Sequence, residues 1–193
     1  MRKSTFVAAI VASSTALAAF AHGGATGVVK ERMDAMADMG EAVKTIAPMM
    51  QGEVAYDAEI VRQAAETFSR HAGDTMTALF PEGSGGAPSV AKEAVWSKWE
   101  EFSELADRLG VVAEGLVLAA DNGLMAAGGD GASSDTMMSG ANMMGGGAMM
   151  GGSNMMGAGA TPEAIAGMPA DGAFTMLSQV CAACHTQFRA ESK

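Results

Sequence analysis

No stretch of this sequence alternates apolar and polar residues for long enough to make a β-strand, so no sheet is expected. Basic residues are few: 12 Lys and Arg stand against 22 Asp and Glu, and they form no stripe. A surface of that sign repels phosphate backbones and anionic lipid. It excludes nucleic-acid binding and favours a partner with basic docking surfaces. Long apolar runs are also missing, except at the start. There "MRKSTFVAAIVASSTALAAFA" has two basic residues, an apolar run of about fifteen, and Ala19-Phe20-Ala21. This reads as a secretory signal peptide over residues 1–21, cut after Ala21. The run is too short to cross a bilayer comfortably, so no membrane span is expected after processing. Losing Arg2 and Lys3 takes the formal charge of −10 two units lower.

Cysteine is scarcer still. The two present, Cys181 and Cys184, stand three apart with His185 directly after the second. An exported chain could oxidise such a pair to a disulfide. A thioredoxin-like redox motif would come with a βαβ pattern, which is absent. The C-x-x-C-H spacing points instead to covalent haem attachment, one haem c per chain.

What the chain has in quantity is helical periodicity, in four stretches. Over about 25–50, Val29, Met33, Met36, Gly40, Val43, Ala47 and Met50 recur at steps of four and three. Val61, Ala65, Phe68, Ala72, Thr75 and Leu79 do so over about 55–80, and Val95, Trp99, Phe102, Ala106, Leu109, Ala113 and Leu116 over about 89–120. The last stretch, about 171–190, has Phe174, Leu177, Cys181, Cys184 and Phe188. Each set falls on one helix face. The expected fold is all-α, an antiparallel four-helix bundle with up-down-up-down order.

Cys181 and Cys184 lie on the apolar stripe of the last helix, with His185 beside them, so a haem there projects into the bundle core. In an up-down-up-down bundle, three regions reach that level. They would supply Met33 and Met36 from the first helix, His71 and Met76 from the second, and Trp96 and Trp99 from the third. The tryptophans are expected as core, Trp99 against the haem or its neighbours. His71, one position off its stripe, is expected to be exposed or half-buried rather than a ligand.

A leader, four helices and C-x-x-C-H on the last of them resemble the class II cytochromes c, the cytochrome c prime family. "VVKERMDAM" in the first helix is similar to that family's V-K-x-R-x-x-A pattern, and "CAACHTQFR" to its ending. The resemblance covers essentially residues 22–193 apart from one loop. It implies a periplasmic protein that is not an enzyme, with His185 as the proximal iron ligand and Cys181 and Cys184 as the thioether residues. It also makes Met36 the residue facing the open side of the iron, with Met33, one turn earlier, as the other candidate. Arg32 resembles the family arginine near a haem propionate, which it would meet bidentately. Arg189 corresponds to the basic residue four positions after the histidine. Members with Leu or Phe at the distal position leave the iron five-coordinate and bind NO or CO. Those with Met resemble six-coordinate, low-spin electron carriers, and His/Met ligation raises the reduction potential. Electron transfer with redox partner proteins is therefore the expected function, and gas binding the alternative. A homodimer fits either.

Residues 123–168 stand apart as a low-complexity insertion. Met pairs begin at Met137, Met143, Met149 and Met155, six apart and mostly separated by glycine. Thioethers select soft ions such as Cu(I), so copper handling is a further alternative. A flexible tether is the plainer one.

Overall fold

The computed structural model describes residues 24–125 and 160–191. The leader and the four Met pairs lie outside the described residues. Four long helices dominate: α1 (Gly27–Met50), α2 (Ala58–His71), α5 (Trp99–Ala119) and α7 (Ala170–Phe188), with the shorter α3 (Gly73–Thr77), α4 (Ala94–Ser97) and α6 (Pro162–Ala166) between them. Together they form the expected antiparallel four-helix bundle. Among the described residues there is no strand, only an isolated antiparallel bridge between Ala91 and Arg189.

Local chemistry sets the helix ends. Asp57 caps α2, its side chain accepting from the amides of Glu59 and Ile60 at 2.9 and 3.1 Å. An aspartate is strongly preferred at that position because two amides there have no helical partner. Replacing Asp57 with alanine should therefore cost about 1 kcal/mol of stability, read as a lower denaturant midpoint with an unchanged slope.

The stretch expected as one helix over 55–80 is broken. Ala72 is extended and Gly73 takes φ +55°, a left-handed angle that glycine accepts without strain. The break moves the inward positions by one, so Met76 and Phe80 are buried where the unbroken stripe called for Thr75 and Leu79. The third stretch also starts late, with a kink at Lys98 between α4 and α5. That kink leaves Trp99 at the first position of α5, 42% exposed rather than in the core, with its ring tilted 5.7 Å from Phe102.

Residues 123–168 are not insertion throughout. Thr161 caps α6, its Oγ1 accepting from Ala164 N at 3.3 Å, and Pro162 opens the turn. Ile165 on α6 is 1% exposed and packs on α5 at Gly115. Asn122 Nδ2 donates to the carbonyls of Ala166 and Met168, each at 2.7 Å, and Ala170 N donates to Gly123 O at 2.8 Å.

The core runs along α5, which packs on α2, α3, α6 and α7. α1 packs on α2 but hardly touches α7. Its buried face is Arg32, Ala35, Met39, Ala42, Ile46 and Met49, one residue away from the expected stripe. Met33, Met36, Val43 and Met50, on that stripe, are only half-buried, because the flank carrying Met33, Met36 and Val43 faces the space between α1 and α7.

Candidate functional site

That space is a slot made of two cavities of about 410 and 120 Å³. Three residues line both: Met36 from α1, and Cys184 and His185 from α7. The larger cavity is walled by Phe80, Val95, Phe102 and Phe188, with Met33, Arg32, Arg189 and the segment 89–91 at its edge. The smaller is walled by Met39, Val43, Phe68, Met76, Leu109, Val180 and Cys181, among others. Phe102 sits at the centre of an aromatic cluster, edge-on to Phe80 at 4.8 Å and to Phe188 at 5.4 Å. Edge-on pairs of this kind are worth about 0.5–1.5 kcal/mol beyond the area they bury.

On α7 the helical repeat separates two faces. Leu177, Val180 and Phe188 are buried, while Cys181 and Cys184 lie on the adjoining flank, half-buried, with His185 exposed beside them. No disulfide joins the two cysteines. Burial raises the pKa of Cys181, and burial with the nearby Cys181 pushes the Cys184 thiol up to about 11. Both therefore remain protonated at neutral pH. For His185, desolvation and then the charge of Arg189 lower the pKa, which favours neutral imidazole, the form that ligates a metal.

Arg32 is 4% exposed, so it is not a solvated helix charge. Nor is it a free fork waiting for a carboxylate. Its Nη1 donates to Leu79 O at 3.2 Å and Ser84 Oγ at 3.0 Å, and its Nη2 to Ser84 O and Ser89 Oγ, each at 2.6 Å. Its Cζ lies 4.7 Å from the centre of the Phe80 ring. Four of the five guanidinium hydrogens are thus committed to the loop after α3, and bidentate pairing with a propionate would require it to let go. Its charge still borders the larger cavity, no carboxylate among the described residues pairs with it, and burial lowers its pKa. Arg189 is exposed on the rim of the same cavity, at the end of α7.

The structure does not bring every expected residue to the slot. Met33, Met36 and Met76 line it; His71, Trp96 and Trp99 do not. His71 is half-buried as expected, with Nε2 3.4 Å from Asp38 Oδ2. Trp96 is turned toward the loop and donates to the carbonyls of Phe80 and Pro81. The helical stripes also missed Ser89, Val90 and Ala91, which line the slot from a non-helical segment where the third helical stretch was expected to begin, and Ser84, which holds Arg32 from the Gly/Pro-rich turn before it. Phe80 was missed because of the break at Ala72. The copper alternative rests on methionines outside the described residues.

The slot suits a haem on its own chemistry. Two protonated thiols and a neutral imidazole lie within one turn of α7, the walls are aromatic and aliphatic, and the rim is cationic. Cys181 and Cys184 are the candidate attachment residues and His185 the candidate ligand. If so, wild-type protein should carry one added haem mass and keep its colour in acid-acetone. Replacing both cysteines with alanine should leave the haem extractable.

Known proteins point the same way. A family model described as "Cytochrome C'" matches residues 27–145. A cytochrome c-556 of Agrobacterium tumefaciens is 34% identical over 88 residues, which are 46% of this chain and 70% of that protein. A cytochrome c' of Rhodopseudomonas palustris is 30% identical over 89 residues, 46% of this chain and 60% of that one. Among solved structures, the cytochrome c' of Thermochromatium tepidum superposes with a TM-score of 0.55 at 24% identity, covering 85% of this chain and 95% of the other. A structure of the Rhodopseudomonas palustris cytochrome c' gives 0.57 at 19% identity, covering 88% and 100%. At such identities the superpositions show the fold, and they extend over more of this chain than the family match, which stops at residue 145. With the fold, the slot and the C-x-x-C-H turn in agreement, the chain belongs to the cytochrome c' family, and its cofactor is a covalently attached haem c.

Proposed function

We propose that this protein is an electron carrier in which His185 and Met36 ligate the haem iron from opposite walls of the slot. One observation carries the reading: Met36 is the residue of α1 that lines both cavities together with Cys184 and His185. Met33 borders only the larger cavity, and Met39 and Met76 only the smaller. Of the two candidates from the first helix, this favours Met36. When bound, the haem supplies an iron that gains and loses one electron.

The chain's own residues account for the rest. The thioether of Met36 is a soft donor that favours the ferrous state and so raises the potential. Phe80, Phe102 and Phe188 keep water from the larger cavity. The cationic rim of Arg32 and Arg189 offsets carboxylates brought in with the cofactor. Periplasmic location and exchange of electrons with partner proteins belong to the same proposal. Among the described residues no helix is long and apolar enough to cross a membrane.

The test is the optical spectrum of purified protein in both oxidation states. Low-spin bands, with the weak long-wavelength ferric band that a thioether–iron bond gives, support His/Met ligation. A ferric spectrum that is already high-spin overturns it and favours the binding of small gases.

A further inference from the structure

The loop after α3 does more than connect helices. It is anchored to Arg32 of α1, whose guanidinium is held by Leu79 O, Ser84 and Ser89. Ser89 Oγ takes a second hydrogen bond, from Ala91 N at 3.1 Å. From there the chain pairs with the end of α7: Ala190 N donates to Val90 O at 2.8 Å, and Lys92 N to Phe188 O at 2.8 Å. Lys92 Nζ donates to Thr186 O at 2.9 Å, the carbonyl of the residue directly after His185. A continuous line of hydrogen bonds thus runs from α1, four residues before Met36, to α7, one residue after His185. Because α1 and α7 pack on each other only sparsely, this strap adds a hydrogen-bonded tie between the two walls at the level of the slot.

We infer that the strap sets the width of the slot, and that Ser89 is the positioning residue that keeps Met36 within reach of the iron. This rests on the ligation proposed above. The hydroxyl of Ser89 is the point where the two halves of the strap meet, since it accepts from Arg32 on one side and from Ala91 on the other. Without it, Arg32 loses one of its acceptors and Ala91 N loses its bond. The wall carrying Met36 is then free to move outward. An external ligand competes with the thioether for the same iron position. Its apparent affinity therefore scales with the fraction of molecules in which Met36 is away.

The experiment uses the holoprotein with carbon monoxide as the probe, together with the ferric spin-state ratio. Ser89→Ala removes two hydrogen bonds and is expected to raise the apparent CO affinity of the ferrous form by roughly fivefold to tenfold, the effect when a share of their worth equal to one ordinary bond bears on the position of Met36. The ferric high-spin fraction should rise in step, with the haem still covalently held. Ser89→Thr, which keeps the hydroxyl, should restore wild-type values. Asp57→Ala destabilises α2 and is not part of the strap, so it should leave both readouts unchanged and separate positioning from general loosening. Should Ser89→Ala not accumulate, Ser84→Ala removes one acceptor from Arg32 and should give a smaller shift in the same direction. A low-spin wild type whose serine variants match it in CO affinity overturns the strap while sparing Met36 ligation. A wild type already high-spin overturns both.

Discussion

Replacing Met36 with leucine is expected to convert the ferric protein from low-spin to high-spin and to open the ferrous form to CO and NO. Leucine has nearly the volume of methionine but no lone pair to offer. Met36 is half-buried on the slot face of α1, so the exchange should cost under about 1.5 kcal/mol of stability. The fold and the covalent attachment should survive while the ligand is lost. The potential should fall as well, because the thioether is what favours the ferrous state. Met33→Leu is the control. Met33 borders only the larger cavity, so that variant should keep the low-spin spectrum. If Met33→Leu gives the change instead, the ligand lies one turn earlier.

A second large effect is expected far from the iron. A Cβ built on Gly115 would lie 2.5 Å from Cβ of Ile165, closer than packed carbons approach. Gly115→Ala should therefore force α6 outward and cost about 1–3 kcal/mol. Ile165→Ala empties a fully buried site and should cost about 2–5 kcal/mol. The two should not add. Alanine at 165 removes the branch atoms at 2.6 and 3.1 Å but keeps the Cβ at 2.5 Å, so the clash is relieved only in part and the double variant should be modestly more stable than the sum of the single losses predicts. Denaturant midpoints of the three proteins measure this coupling. Neither residue lines the slot, so the haem spectrum should stay constant throughout the series.

The four-helix plan and the attachment turn were legible because they depend on spacing alone. C-x-x-C-H is a local pattern, and α5 buries Phe102, Ala106, Leu109, Ala113 and Leu116 as its stripe requires. The stripe on α1 was displaced by one residue for a physical reason. α1 has apolar residues on two adjoining faces, one toward the core and one toward the slot. A periodicity count finds the combined band but not its division. The stripe and the bundle order bring both Met33 and Met36 to the level of the slot, and only the family's pattern chooses Met36 between them. The break at Ala72–Gly73 could have been suspected from "HAGD", since glycine at that point offers a left-handed turn. α6 is a single turn in a Gly/Met-rich stretch, and its trace in the sequence is Thr161-Pro162, a cap followed by a first-turn proline. The strap was not legible. Arg32 and Ser89 are 57 positions apart, and a contact of that range between polar side chains leaves no periodic mark.

The junction between α5 and α7 has one more consequence. Gly123, with φ +69°, receives the amide of Ala170 at 2.8 Å, and Asn122 holds the carbonyls of Ala166 and Met168. These bonds bring the end of α5 and the start of α7 together at one junction. That point is at the start of α7, and His185 is fifteen residues further along the helix, roughly 22 Å away at 1.5 Å per residue. Whatever is spliced in between has little leverage on the redox end, and the entropy of closing a longer excursion grows only with the logarithm of its length. Changes of chain length between residues 125 and 160 should therefore leave the haem spectrum unchanged.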